Sequence, residues 1–160
     1  MRNDSDRLAK LRQCLVLDTA PEQAFEDLAR VLASGLDVPI AMVNLLDADR
    51  DWFKAVVGLP ATESPASTSF CEVFFQCDKD LLVVPDTQLD PQFAGHPLVI
   101  HPPHVRFYAA ARLVAGGHTL GTLCAYDVRP RSISVDQIEQ MRTLAAAAMV
   151  LLQQRLHGRA

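Results

Sequence analysis

The chain has 160 residues, with 15 basic and 19 acidic side chains and a formal net charge of −4. This length predicts one domain, and a composition of 49% hydrophobic and 21% charged residues excludes a disordered chain. The lack of a basic block argues against nucleic acid or an anionic membrane as a partner. The longest apolar run, nine residues at 144–152, is too short to cross a bilayer. Since the polar N-terminus is unlike a secretory signal, we expect a cytoplasmic protein.

Two helices are predicted at the N-terminal end. Residues 5–16 carry three leucines at spacings of three and four, which places them on one stripe of a helix: Leu8, Leu11 and Leu15. A second helix is predicted up to about Leu36, started by a capping box of Thr19 and Glu22 and buried along one side.

The middle of the chain predicts strands. Residues 38–46 are apolar on both alternations, as in a central strand covered on both faces. Residues 51–57 follow a polar turn and form its hairpin partner. Residues 58–68 are predicted to be irregular, residues 69–76 a short helix and residues 81–84 a brief strand.

Residues 86–104 contain four prolines and few charges, which predicts a long loop. A long loop inside a compact domain is usually functional or disordered, and the apolar side chains of this one favour a cover folded over something. Residues 107–115 and 119–128 are the longest predicted strands. Gly116-Gly117 between them supplies the positive φ angles of a tight hairpin.

The last helix is predicted to begin with a capping box of Ser134 and Gln137 and to run toward His157. One of its apolar rows covers the sheet, and a second row lies beside it: Leu144, Ala147 and Leu151. We expect the second row to contact a symmetry mate. The alternative is a helix wedged between the sheet and the first helix of the same chain.

Helices at both ends and an antiparallel sheet between them predict an α+β fold. Seven short segments add a more specific pattern by their order and spacing: D-A-D-R-D-W-F-K at 47–54, S-F-C at 69–71, V-P-D at 84–86, D-P-Q-F-A at 90–94, H-P-L-V at 96–99, R-F-Y-A at 106–109 and L-G-T-L-C-A-Y-D at 120–127. Together they resemble the GAF domains found ahead of diguanylate cyclases and sensor histidine kinases in bacteria. The resemblance runs from about residue 8 to 156, as a single domain over residues 1–160.

The resemblance implies a GAF/PAS-like sheet of about five to six antiparallel strands with the terminal helices on one face. A small-molecule pocket is implied on the other face, roofed by residues 86–104 and 69–76. The implied function is a non-enzymatic sensor that signals through a helical homodimer to an effector, either in trans or in a longer chain. The ligand stays unidentified. A covalent bilin is not expected, because bilin-bearing members place histidine directly after the anchoring cysteine and no cysteine here is so followed.

Two positions depart from the family pattern. Arg112 stands where the pattern has proline, and it either contacts an anion or points to water. Val73 stands two positions after Cys71, where this group often has histidine. Both departures bear on which ligand the pocket takes.

Nine residues are expected at the pocket: Trp52, Phe53, Cys71, Asp86, Phe93, Arg106, Phe107, Tyr108 and Cys124. The aromatic residues suit the apolar wall of a ligand site. Asp86 is expected either to cap a turn or to bind the ligand, and Arg106 to contact an anionic group.

Three histidines lie in the predicted loop: His96, His101 and His104. Zinc accepts histidine nitrogen, but no carboxylate or thiolate stands at motif spacing. We therefore expect titratable loop residues and no metal.

Two other functions stay open. The four cysteines (Cys14, Cys71, Cys77 and Cys124) include no C-x-x-C pair, and buried reduced thiols are expected. The free methionine sulfoxide reductases of the GAF family use cysteines around this same pocket, and in a redox enzyme Cys71 and Cys77, six residues apart, would be the attacking and resolving thiols. The cysteine motifs of that branch do not match these positions. A ligand-free dimerisation module is the third hypothesis.

Overall fold

A computed structural model describes the backbone of residues 1–157 and the side chains of residues 1–155. The six strands are β1 (Ile40–Leu46), β2 (Arg50–Val57), β3 (Glu63–Pro65), β4 (Leu81–Val84), β5 (Phe107–Ala115) and β6 (His118–Asp127). They form one antiparallel sheet in the order β3-β2-β1-β6-β5-β4. β1 is buried along its whole length because strands flank it and both sheet faces are covered. The predicted α+β fold with a central antiparallel sheet is confirmed.

The helices are α1 (Ser5–Gln13), α2 (Gln23–Leu36), α3 (Pro97–Ile100) and α4 (Val135–His157). α1, α2 and α4 cover one face of the sheet, here called the helix face, and share one apolar core with it. The predicted capping box at the start of α4 is present, because Ser134 Oγ accepts from Gln137 N and Gln137 Oε1 accepts from Ser134 N. Among the described residues, no helix is long and apolar enough to span a bilayer.

Both apolar rows of α4 pack within one chain. Met141, Ala148 and Leu152 are fully buried against the sheet. Leu144 and Leu151, from the row assigned to a symmetry mate, are half-buried against the same core, and α4 also contacts α2. α4 thus lies against the sheet and α2, whereas the single-chain alternative placed it between the sheet and the first helix. The second row offers another subunit only part of its surface.

Three local predictions need correction, two at the N-terminal end and one in the middle of the chain. α1 ends at Gln13, and Leu15 is exposed with a φ of 50° rather than lying on the apolar stripe. Thr19 does not cap α2, because its hydroxyl donates to Val16 O and Glu22 takes the cap position without a side-chain bond. The stretch predicted to be irregular contains β3, which is too short to show an alternation pattern.

Candidate functional site

Residues 86–104, here called the lid, lie with the 3₁₀ helix Phe70–Phe75 on the sheet face opposite the helices, here called the lid face. The lid contains a 3₁₀ turn and α3, so it is more regular than its prolines predicted. Its ends are fixed by hydrogen bonds: Thr87 Oγ1 donates to Val105 O at 2.7 Å, and Val105 N donates to Leu98 O at 2.8 Å. The lid is therefore a docked element rather than a free loop.

Aromatic rings fill the centre of the lid face. The Phe70 ring lies 4.1 Å from that of His96, 5.2 Å from Tyr108 and 5.5 Å from both Phe93 and Tyr126, measured between centroids. Contacts of this kind stabilise aromatic clusters beyond their buried area. At this position the lid plugs the space over the sheet.

Asp51 on β2 is the centre of a buried polar group next to these rings. Its Oδ2 accepts from Ser69 Oγ at 2.6 Å and from Asn44 Nδ2 at 3.0 Å. Its Oδ1 lies 3.0 Å from Arg2 Nη2, although that pair is not aligned as a hydrogen bond. Burial raises the pKa of Asp51 above its ordinary value, against the opposing effects of Ser69, Arg2 and Asn44.

Cys71 extends this polar group across the sheet. Its Sγ lies 3.0 Å from Thr122 Oγ1 and 3.1 Å from Tyr108 OH. Burial opposes the thiolate, but hydrogen bonds from Cys124, Thr122 and Tyr108 outweigh it and lower the pKa of Cys71. Burial raises the pKa of Cys124 well above its ordinary value. Because Cys71 is fully buried, no solvent-borne substrate reaches it without movement of the lid face.

A cavity of about 140 Å³ remains beside the aromatic cluster. Its lining is mainly apolar, with Asp51 and Ser69 among the polar exceptions; apolar lining residues include Ile40, Met42, Phe53, Phe70, Val105 and Tyr126. Leu59 and Ala61 are exposed residues of the lining. The cavity is smaller than the roughly 300–1,000 Å³ of typical ligand sites, so only a compact molecule fits without movement of the lid.

Five of the nine expected residues lie on the lid face: Phe53, Cys71, Phe93, Tyr108 and Cys124. Of these, Phe53 lines the cavity. The other four belong to the packed cluster behind it. These four residues pack behind the lining of the cavity and are not part of it.

Trp52 and Phe107 lie on the opposite face from the one expected. Both side chains are buried in the core of the helix face. The reason is strand alternation, which sends neighbouring residues to opposite faces: Phe53 and Tyr108 point to the lid face, so Trp52 and Phe107 cannot. Neither is a pocket residue.

Asp86 and Arg106 bind each other rather than the cavity. Arg106 Nε and Nη2 lie 3.0 and 2.9 Å from the two carboxylate oxygens of Asp86, and Asp86 also accepts from Gln88 N. Arg106 lowers the pKa of Asp86. This bidentate pair closes the base of the lid and leaves the expected anion contact already occupied.

The lid histidines have structural contacts. His96 Nδ1 accepts from Leu98 N at 3.0 Å and caps α3, and burial lowers the pKa of His96. His104 Nδ1 lies 3.2 Å from Val99 O, whereas His101 is exposed. The part of the chain that the structure describes contains no cluster of three or more metal-ligating side chains.

The two departures from the family pattern are structural as well. Arg112 donates to Phe74 O, Cys77 O and Thr119 Oγ1 at 2.8–2.9 Å, so it fastens the segment after the 3₁₀ helix to the sheet. It neither binds an anion nor points freely to water. Val73 is buried in the core of the lid face.

Sequence reasoning missed Asp51, Ser69 and Tyr126 at the cavity. The signal was present for two of them. Asp51 is two residues from Phe53 and Tyr126 two residues from Cys124, so each shares a face with a residue that was predicted. Ser69 offered no such signal, because it precedes the 3₁₀ helix and alternation does not apply.

A single antiparallel sheet with terminal helices on one face and a lidded cavity on the other defines a class of small α+β domains. The family model of the GAF domain matches residues 20–152. The chain belongs to the GAF domain family.

Known proteins similar to this chain span several roles. The cyclic di-GMP phosphodiesterase PA2567 of Pseudomonas aeruginosa is 36% identical over 130 residues, which cover 81% of this chain and 22% of that protein. The chain thus spans less than a quarter of that relative. The phycoerythrobilin-bound GAF domain of a cyanobacterial phytochrome has a TM-score of 0.69 at 15% identity, covering 97% of this chain and 95% of that one. The type II free methionine-R-sulfoxide reductase of Thermoplasma acidophilum has a TM-score of 0.64 at 12% identity, covering 82% and 94%. These two structures share the fold.

Proposed function

We propose that this GAF domain is a non-enzymatic regulatory module whose cavity binds a small molecule. The observation that carries the proposal is the partly open, mainly apolar cavity with a buried carboxylate, on the sheet face opposite the terminal helices. Ligand sites usually combine apolar walls with a few placed polar groups. A change at the lid face reaches the helices through the shared strands β1, β2 and β6.

We propose that the domain regulates an effector protein of the signalling system to which it belongs. The relative of 36% identity is named for phosphodiesterase activity on cyclic di-GMP, which supports a role beside an enzyme that turns over this messenger. Cyclic di-GMP itself is a poor candidate for the cavity. It carries two phosphates and is far larger than about 140 Å³, and no Lys or Arg is among the cavity residues.

We further propose that the domain acts in the cytoplasm as a homodimer through its terminal helices. α4 keeps an exposed strip that includes Ala146 and Val150, and helix–helix contacts between symmetry-related subunits are common. Val150→Asp places a charge in this strip without touching the core. Sedimentation or light scattering should show a dimer for the parent and a monomer for the variant.

Native mass spectrometry of freshly purified protein tests ligand binding and subunit number together. A retained molecule of low mass is expected, and adding it back should raise the melting temperature by the linkage relation RT ln(1 + [L]/Kd). Ala61→Trp, at an exposed residue of the cavity lining, should abolish retention and leave the fold intact. Retention that is unchanged in this variant would move the site elsewhere.

Two other functions have narrower support. The pKa of Cys71 is lowered, which favours thiol chemistry. However, the sulfur of Cys71 is buried, and the contacts of Cys77 are with Arg112 rather than with Cys71. Methionine sulfoxide reduction that is lost in Cys71→Ser would establish the redox function. The aromatic rings that fill the centre of the lid face favour a dimerisation module without a ligand. A broad metabolite screen in which no compound binds would support this function.

A further inference from the structure

The cavity has an unusual charge balance. Among the residues that the structure describes, the ionisable ones in the lining are Asp51 and Tyr126, and none is Lys, Arg or His. An anionic ligand entering this space meets a carboxylate and no cation. The lining therefore selects against carboxylates and phosphates.

Asp51 has unused acceptor capacity. Oδ2 accepts two hydrogen bonds, from Ser69 and Asn44, whereas Oδ1 accepts none from the described residues. The Asp51 side chain is 5% exposed, and a buried carboxylate oxygen without a donor is costly. A ligand whose donor reaches this carboxylate from the cavity, which Asp51 lines, relieves part of that cost.

Among the described residues, Arg2 is the cation that contacts Asp51, and it is shared. Arg2 lies 3.0 Å from Asp51 and 2.8 Å from Glu72, so one guanidinium serves two carboxylates. Its other hydrogen bonds go to the carbonyl oxygens of Asp47 and Arg50. Asp51 is incompletely neutralised, which favours a ligand with a positive charge.

The remaining walls suit the other part of such a ligand. Phe53, Phe70 and Tyr126 line the cavity, and aromatic faces attract both apolar groups and ammonium ions. A dry cavity of about 150 Å³ in another protein binds benzene. The volume here, about 140 Å³, sets a similar limit.

We propose that the cavity binds a small primary amine of about six to nine non-hydrogen atoms, with its ammonium group donating to Asp51 and its apolar part between the aromatic walls. This inference rests on the proposed ligand-binding function and adds the chemical class of the ligand.

Three probes of one shape separate charge from size: benzylamine, benzyl alcohol and benzoate. Titration of the full chain near neutral pH, followed by calorimetry or by amide chemical shifts, should give an affinity for benzylamine at least about tenfold above that for benzyl alcohol. Benzoate should not bind at millimolar concentration. Asp51→Asn keeps the shape and removes the charge, so it should reduce benzylamine affinity about tenfold and leave benzyl alcohol binding unchanged.

The outcomes distinguish this inference from the function beneath it. If benzyl alcohol or benzoate binds as tightly as benzylamine, the amine assignment is wrong while ligand binding stands. If none of the three binds, and the parent retains no more ligand in native mass spectrometry than Ala61→Trp does, both proposals are wrong. The comparison of probes on the parent chain is decisive even if Asp51→Asn does not fold.

Discussion

The two faces of the sheet are covered in different ways. On the helix face, long helices seal an apolar core in which Leu32, Leu113 and Met141 are fully buried. On the lid face, short helices and turns cover aromatic rings, a polar chain around Asp51 and Cys71, and a cavity. Close packing stabilises the first face, whereas the second buries polar groups that apolar residues of the same shape could replace at no loss of stability.

From this difference we propose that the helix face provides stability and the lid face recognition. Asn44 Oδ1 and Asp51 Oδ1 are buried without a hydrogen-bond donor among the described residues. Groups of that kind are rare in native structures. Here one lies on β1 and the other on β2, and both are on the lid face. The following substitutions test the division, beginning with the largest expected effect.

Phe107 and Tyr108 are neighbours whose side chains lie on opposite faces. Phe107→Ala should lower the free energy of unfolding by about 3–5 kcal/mol, because it empties the core beneath the helices. Tyr108→Phe removes one hydroxyl from Cys71 and should cost only about 0.5–1.5 kcal/mol. Urea denaturation measures both. Equal losses would contradict the division between the faces.

Lys54 is an ionised group buried under the helix face, with a side chain that is 0% exposed. Its Nζ lies 2.6 Å from Glu22 Oε2 and 2.7 Å from both Thr19 Oγ1 and Ala20 O. Glu22→Gln should destabilise the fold by about 1 kcal/mol. This value is small because Glu22 is partly exposed and solvent screens the ion pair.

The pH dependence gives the same pair a second test. Burial would raise the pKa of Glu22, but Lys54 and Arg155 more than reverse this and hold it below 4.5. The unfolded chain then binds the proton more readily, so this stabilisation is present at neutral pH and is lost as the pH falls through the folded-state pKa. The slope of stability with pH should flatten in Glu22→Gln but persist in Glu26→Gln, a matched change in the same helix. Equal slopes would contradict the role of Lys54.

The helix face was predictable because its signals are periodic. The stripe of α2, the apolar run of β1 and the capping box at Ser134 each follow from residue spacing. The lid face was predictable only in outline. Alternation places Asp51 and Tyr126 on this face. Their meeting with Ser69 depends on strand register and a 3₁₀ helix, for which spacing in the sequence carries no signal.

The error at Trp52 and Phe107 has a different physical cause. Each stands in a segment that resembles the family pattern. Phe107 was carried to the pocket together with Tyr108, and for Trp52 and Phe53 the choice of which aromatic lines the pocket was left open. Alternation divides such a segment between two faces. A resemblance therefore locates a strand, and the period of two decides which of its residues reach the site.

Acid should loosen the lid before it affects the helix face. His96 Nδ1 must be unprotonated to accept from Leu98 N, and burial lowers the pKa of His96 below 6.5. The open lid therefore binds the proton more readily, and closure weakens as the pH falls through 6.5 and then through the lower folded-state pKa. Hydrogen exchange of residues 93–104, measured relative to its intrinsic rate at each pH, should accelerate over this range in the parent and in His101→Asn. His96→Asn keeps a capping group and should remove the acceleration; acceleration that persists there would assign it to another group.

The smallest effect is expected at the base of the lid. Asp86→Asn breaks the ion pair with Arg106 but keeps a side-chain oxygen for Gln88 N, and both partners of the pair are partly exposed to solvent, where ion pairs contribute little. The urea midpoint should stay within error of the parent. Binding of any cavity ligand should also be unchanged, because neither Asp86 nor Arg106 lines the cavity. If Asp86→Asn lowered the ligand affinity without lowering the stability, the lid base rather than the carboxylate of Asp51 would recognise the ligand. Asp86 would then matter more for binding than Asp51, which is the reverse of the expected order.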